Sequence, residues 1–221
     1  MPTLPRLPWE AILFDNDGVL VDTEALYFRA NREVLAGIGV PLDQAAYIEL
    51  FLRTGRGAWH LAEALGHDAE AVAALRAARD ARYLQLIDES ELLIPGALEA
   101  IRALRRHYRL AIVTSSEPEP FARIHRRTGL LPAFELALTR EQYGESKPHP
   151  EPYLRAVERI GVDPRRCLVI EDSERGLRAA TAAGLACWVI PSALTQGGDF
   201  EAADAVLADL GEATRRLLGA G

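Results

Sequence analysis

The 221-residue chain holds a single lysine, Lys147; the remainder of its 25 basic residues are arginine, so nearly all positive charge sits on planar guanidinium groups. Cysteine is scarce too. Cys167 and Cys187 each adjoin an apolar run and show no metal-ligand spacing, which excludes a disulfide scaffold and points to buried thiols in a reducing cytoplasm. Positive charge is in deficit, since 32 acidic residues outweigh the basic ones to give a net charge of −7. Nucleic acid and anionic membrane both reward basic surfaces, so neither is expected as a partner. No apolar run approaches the length of a membrane span, and residues 1–10 lack the apolar stretch of a signal peptide, so the expected location is cytoplasmic. Internal repeats and low-complexity tracts are also missing. What remains is 49% hydrophobic and 26% charged, the balance of an ordinary globular protein, long enough for one large domain or two modest ones.

Short apolar runs recur along the chain with helical stretches between them. The pattern predicts strands buried on both faces at Ala11–Asp15, Leu110–Thr114, Cys167–Glu171, Ala186–Ile190 and Ala205–Leu207, with a further short strand at Leu136–Thr139. Helical spacing is expected over Ala97–His107, Pro118–Thr128, Pro150–Ile160 and Glu174–Ala183, the last with Ser173 as N-cap and Gly184 as its stop. Strands alternating with helices imply an α/β fold, a Rossmann-like parallel sheet with helices on both faces. Residues 23–90 break that rhythm. They are rich in Ala, Leu, Arg and Glu, and predict four amphipathic helices at Glu24–Ala36, Leu42–Leu52, Ala58–Leu65 and Ala69–Ile87. The expectation is a discontinuous catalytic core, residues 1–22 and 91–221, with a small all-α cap domain inserted at 23–90 after the first strand.

The chemistry starts at Asp15 and Asp17, where a buried strand runs into two carboxylates and then Gly18. Side chains two apart on a strand point the same way, so the pair repels unless a cation or a shared proton intervenes. In open α/β sheets ligands bind beyond the carboxyl ends of the strands. The other predicted ends carry Thr114-Ser115-Ser116, the Ser146-Lys147-Pro148 segment, and Glu171-Asp172-Ser173. Each has a plain structural reading: hydroxyls and acids cap helices, and lysines are usually solvated. Lys147, however, is the exception in a chain that otherwise uses arginine, as a site needing a compact ammonium would require. Together the four ends make a site for a metal ion and an oxyanion, most simply phosphate.

The chain resembles the haloacid dehalogenase superfamily, in its helical-cap branch of small-molecule phosphatases and β-phosphoglucomutase-like proteins. The resemblance rests on four motifs in order: Asp15-x-Asp17 with Gly18-Val19-Leu20, Thr114 after a strand, Lys147-Pro148, and Glu171-Asp172. It implies that Asp15 attacks phosphorus to form an aspartyl-phosphate, and that Asp17 protonates the leaving oxygen and later deprotonates water. Thr114, Ser115 and Lys147 would hold phosphate oxygens. Mg²⁺ would take the Asp15 carboxylate, the Asp17 carbonyl and Asp172, with Glu171 as a further ligand or one step behind.

Within the superfamily, Asp17 argues against the dehalogenases, which lack it, and a cap without lysine argues against Schiff-base phosphonate chemistry. Mutase relatives place a histidine where Tyr27 stands and an arginine where Ala58 follows Gly55-Arg56-Gly57. The function expected is therefore Mg²⁺-dependent hydrolysis of a small phosphorylated metabolite, a sugar phosphate among the candidates. A phosphosugar mutase and a catalytically inactive binding or regulatory protein on the same fold are the alternatives. Arg53, Arg56 and His60 are the candidate substrate contacts in the cap, and the expected assembly is a monomer or weak homodimer.

Overall fold

The computed structural model describes residues 9–219, so most of the N-terminal stretch read above for a signal peptide lies outside the described residues. Contacts divide the chain into two compact units, one holding the residues up to Asp22 and those from Leu92 onward, the other Thr23–Glu91. Among the described residues no helix is long and apolar enough to cross a membrane.

The first unit is built on six parallel strands, β1 (Ala11–Phe14), β2 (Arg109–Val113), β3 (Leu136–Leu138), β4 (Cys167–Glu171), β5 (Ala186–Val189) and β6 (Ala205–Val206), in the order β3-β2-β1-β4-β5-β6. Every residue of β1 and β4 is buried, which is why these strands read as uninterrupted apolar runs. On one face Ala11, Leu13, Ala111, Val113, Cys167 and Val169 pack with Tyr153, Ala156, Val157 and Ile160 of a helix at Glu151–Ile160 and with Leu177, Ala179 and Ala180 of a helix at Glu174–Ala182. The alternate residues Ile12, Phe14, Leu110, Ile112, Leu168 and Ile170 are buried as well, so the opposite face is also covered. The expectation fails for the last strand. β6 is two residues long, lies at the sheet edge, and leaves Val206 52% exposed, because among the described residues no strand pairs beyond it.

The chain enters the sheet at β1, pairs outward to β2 and β3 on one side, then returns to place β4 against the other side of β1. Strand order reverses between β1 and β4, and a crevice forms at the carboxyl ends of strands at such a switch point.

The second unit is helical: α1 (Glu24–Ala36), α2 (Gln44–Tyr47), α3 (Trp59–Ala64) and α4 (Ala69–Glu89), with α1 packed along α4. The single helix expected at Leu42–Leu52 is instead a short α2, capped by Asp43, followed by a wide π-helical turn at Ile48–Arg53. Widened turns arise where side-chain packing competes with the regular backbone ladder. Here Phe51 stacks on Tyr47 at 4.6 Å and meets Tyr27 edge-on at 6.2 Å.

Candidate active site

β1 ends at Phe14, and Asp15, Asn16 and Asp17 follow into a tight turn in which the Gly18 N–H donates to the Val21 carbonyl. Gly18 has φ +88°, and an added Cβ would lie 2.2 Å from Oδ2 of Asp172. Only glycine lets the backbone turn and approach that carboxylate so closely. β4 delivers Glu171 and Asp172 beside Asp15, and one oxygen from each of these three carboxylates lies within 4.8 Å of the others. All three residues are buried.

Lys147 enters this cluster from the segment before the helix at Glu151–Ile160. Its ammonium donates to Asp15 Oδ1 at 2.6 Å, to Glu171 Oε1 at 2.7 Å and to the Val113 carbonyl at 2.9 Å. Three acceptors around one nitrogen suit a compact ammonium and not a planar fork, which accounts for lysine in an arginine-rich chain. The ammonium also lies 4.9 Å from the ring centre of Tyr153, and Arg175 donates to the Lys147 carbonyl at 2.5 Å. Burial alone would pull the ammonium's pKa down, but Asp15 and Glu171 outweigh it and hold Lys147 charged, above its usual value.

Glu171 is fully buried and accepts at both oxygens. Oε1 takes Lys147 and the Tyr153 hydroxyl at 2.5 Å; Oε2 takes the Asp172 N–H and the Ser173 hydroxyl, each at 3.2 Å. Ser173 also caps the helix at Glu174–Ala182 by accepting from the Gly176 N–H, so the capping role foreseen for it coexists with a role in the site. A Cβ at Gly176 would lie 1.8 Å from Cδ of Glu171, which explains a glycine in the first turn of that helix.

Asp17 is oriented from three sides. Its Oδ2 accepts from Ser116 at 2.7 Å, Thr114 at 3.1 Å and the Asn16 amide at 3.3 Å. Thr114 and Ser116 do not cap the following helix at Pro118–Thr128, whose N-cap is Glu117 with no side-chain bond. Ser115 between them is exposed.

Burial pushes the Asp15 carboxyl up to about 8; Lys147 opposes this, while Glu171 and Asp17 add to it. Several carboxylates therefore crowd one ammonium, and the surplus negative charge fits a divalent cation with oxygen ligands.

Asp15, Asp17, Thr114, Lys147, Glu171 and Asp172 thus converge in one unit. Arg53, Arg56 and His60 belong to the helical unit, where Arg53 and Arg56 are exposed and Arg53 lies 3.6 Å from Glu49. His60 is half-buried, and its Nδ1 is buried without a hydrogen bond. Sequence reasoning assigned no role to Tyr153, Arg175, Ser116 or Asn16. Only the two within strand-end runs carried a local signal.

The haloacid dehalogenase-like hydrolase family model matches residues 9–184. The chain belongs to the haloacid dehalogenase-like hydrolases. Protein CbbY of Rhodobacter capsulatus is 36% identical over 95% of this chain and 97% of its own length. Hexitol phosphatase B of Escherichia coli is 31% identical over 95% of this chain and 96% of its own. Among solved structures, a variant of CbbY from Rhodobacter sphaeroides in complex with xylulose-(1,5)bisphosphate superposes with a TM-score of 0.79 at 33% identity, covering 92% of this chain and 96% of that one. The family's name thus covers relatives that act on or bind phosphorylated sugars and sugar alcohols, and the acidic cluster of this hydrolase lies where its sheet reverses order.

Proposed function

We propose that this hydrolase is a Mg²⁺-dependent phosphatase of small phosphorylated sugars or sugar alcohols. The observation that carries the reading is the pairing of two differently held aspartates at the switch point: Asp15 bound by the Lys147 ammonium, and Asp17 bound by three neutral donors. That difference suits two jobs. Asp15 attacks phosphorus and is phosphorylated, with Lys147 orienting the attacking carboxylate and balancing charge as the phosphoryl group arrives. Asp17 gives a proton to the departing alkoxide and takes one from the water that frees the enzyme.

Asp15, Asp172 and the Asp17 carbonyl would hold Mg²⁺. Both oxygens of Glu171 are already engaged by donors, so Glu171 supports Lys147 and the β4 terminus from one step behind. The cation, when bound, neutralises the transferring phosphoryl group. Thr114 and Ser115 directly follow β2, where their hydroxyls meet the phosphate oxygens. Arg53, Arg56 and His60 of the helical unit are the residues we assign to the polar groups of the substrate.

The named relatives support the substrate class, a phosphatase of hexitol phosphates and a protein bound to a sugar bisphosphate. The test is phosphate release with Mg²⁺ across a panel of sugar and sugar-alcohol phosphates, for the wild type and for Asp15→Asn. Turnover that vanishes in the variant is expected; wild-type rates in Asp15→Asn would overturn the reading. A hexose 1-phosphate returned as an isomeric sugar phosphate would favour a mutase instead, and silence across the panel would favour a binding protein.

A further inference from the structure

A histidine not used above reaches the site from behind. His125 is buried on the helix at Pro118–Thr128, with Phe121 against its ring at 4.5 Å between ring centres. Its Nε2 lies 2.9 Å from Oδ1 of the fully buried Asn16, and its Nδ1 lies 2.9 Å from Oγ1 of Thr128. Asn16 in turn donates its amide to Oδ2 of Asp17.

Every donor and acceptor along this path is determined. The Asp17 carboxylate only accepts, so Asn16 presents its NH₂ to it and its carbonyl oxygen to the ring. The ring must then carry its proton on Nε2 and accept at Nδ1. Thr128 supplies that proton, while its oxygen accepts from the Leu130 N–H at 3.4 Å. A reversed amide would set a carbonyl oxygen against a carboxylate. Burial supports the neutral ring this requires by pushing His125 down to about 4.

We propose that His125 is a positioning residue for the reaction: through the Asn16 amide it fixes the direction of the Asp17 carboxylate. An oxygen that accepts from Asn16, Thr114 and Ser116 is a poor seat for a proton, so the acidic proton belongs on Oδ1 of Asp17. The path from Thr128 through His125 keeps the two oxygens from exchanging roles. The proposal rests on the reading of Asp17 as the acid that serves the leaving group.

The test uses leaving groups. An alkoxide departing from a hexitol phosphate needs a proton in the transition state, whereas p-nitrophenolate leaves without one, and kcat/KM reports this first half-reaction for both. His125→Leu is expected to lower kcat/KM for the hexitol phosphate about 10-fold, part of the roughly 10²–10⁴ a general acid contributes, with p-nitrophenyl phosphate within about twofold of wild type. His125→Gln keeps an N–H near the Nε2 position and should restore most of the loss. An equal fall for both substrates, or no rescue by glutamine, would overturn the proposal. Should the leucine variant fail to fold, Thr128→Val, which removes the proton held at Nδ1, carries the same test with a smaller selective loss; an unselective change there overturns it. Asp17→Asn separates the two levels of the argument. If it too loses both substrates equally, the acid assignment itself is wrong; if it is selective while His125→Leu is not, only the positioning path is wrong.

Discussion

Replacing Lys147 by methionine keeps an unbranched side chain of similar length while deleting its charge, so the perturbation is mainly electrostatic. Lost with the ammonium are hydrogen bonds to Asp15, Glu171 and the Val113 carbonyl, at 2.6, 2.7 and 2.9 Å, and the contact with the Tyr153 ring. Asp15 and Glu171 remain buried beside Asp172 with no cation among them. Breaking a buried ion pair from one side costs about 3–5 kcal/mol, a large share of a typical domain stability of roughly 5–15 kcal/mol. The loss must depend on pH. Burial already lifts Asp15 to about 8, and without the opposing ammonium it rises further. A carboxyl whose folded pKa exceeds its unfolded value holds its proton in the folded state, so its contribution is full at acid pH and is lost as pH rises from about 4 through the folded value. Wild type and variant both keep the Asp15 proton below about 8, so they part above that value. Urea unfolding in chelator, followed by circular dichroism, should show Lys147→Met destabilised by about 3–5 kcal/mol near pH 9.5 and by less than half of that at pH 5. Adding Glu171→Gln should recover about 1–2 kcal/mol near pH 9.5, because one of the stranded charges is gone. A loss below about 1 kcal/mol near pH 9.5, or an equal loss at both pH values, would refute this account of the buried charges.

Other consequences are as open to measurement. Gly176→Ala forces a Cβ to 1.8 Å from Glu171 Cδ and should lower Tm by about 5–10 °C, equivalent to roughly 2–3 kcal/mol; an unchanged melt would mean that the helix start yields easily. His125, held down to about 4 against its usual 6.5, leaves the unfolded chain binding more protons between those values, so stability falls by about 3 kcal/mol as pH drops through that window. His125→Gln should flatten that slope in pH-dependent unfolding, and a variant as steep as wild type would contradict it. Ser173→Ala removes both a helix cap and a donor to Glu171 and should cost about 1 kcal/mol in urea unfolding; no change would mean that a water replaces the hydroxyl. Chelation should abolish phosphatase activity and Mg²⁺ restore it, with Asp172→Asn needing at least about 10-fold more Mg²⁺; an unshifted Mg²⁺ requirement would remove Asp172 from the ligand set.

The strand pattern was legible because β1 and β4 are buried on both faces, and a buried parallel strand must read as an apolar run that stops where charge begins. β6 misled for the same reason: Ala205–Val206 is apolar in sequence, yet an edge strand needs no cover, and burial is not written into two residues. In the helical unit, amphipathic spacing located α1 and α4 but could not distinguish an α from a π turn at Ile48–Arg53. That choice depends on Phe51 finding Tyr47 and Tyr27, the latter more than twenty residues away.

The sequence by itself determined the α/β class, the helical insert and the residues available for chemistry, because periodicity and strand-end composition are local properties. Tertiary structure alone decided how those residues are coupled. It set Lys147 between Asp15 and Glu171, engaged both oxygens of Glu171, gathered three donors on one oxygen of Asp17, and brought His125 up behind Asn16. The members of these contacts are mostly far apart along the chain, and the burial that shifts Asp15 and His125 belongs to the packed sheet and helices rather than to any segment.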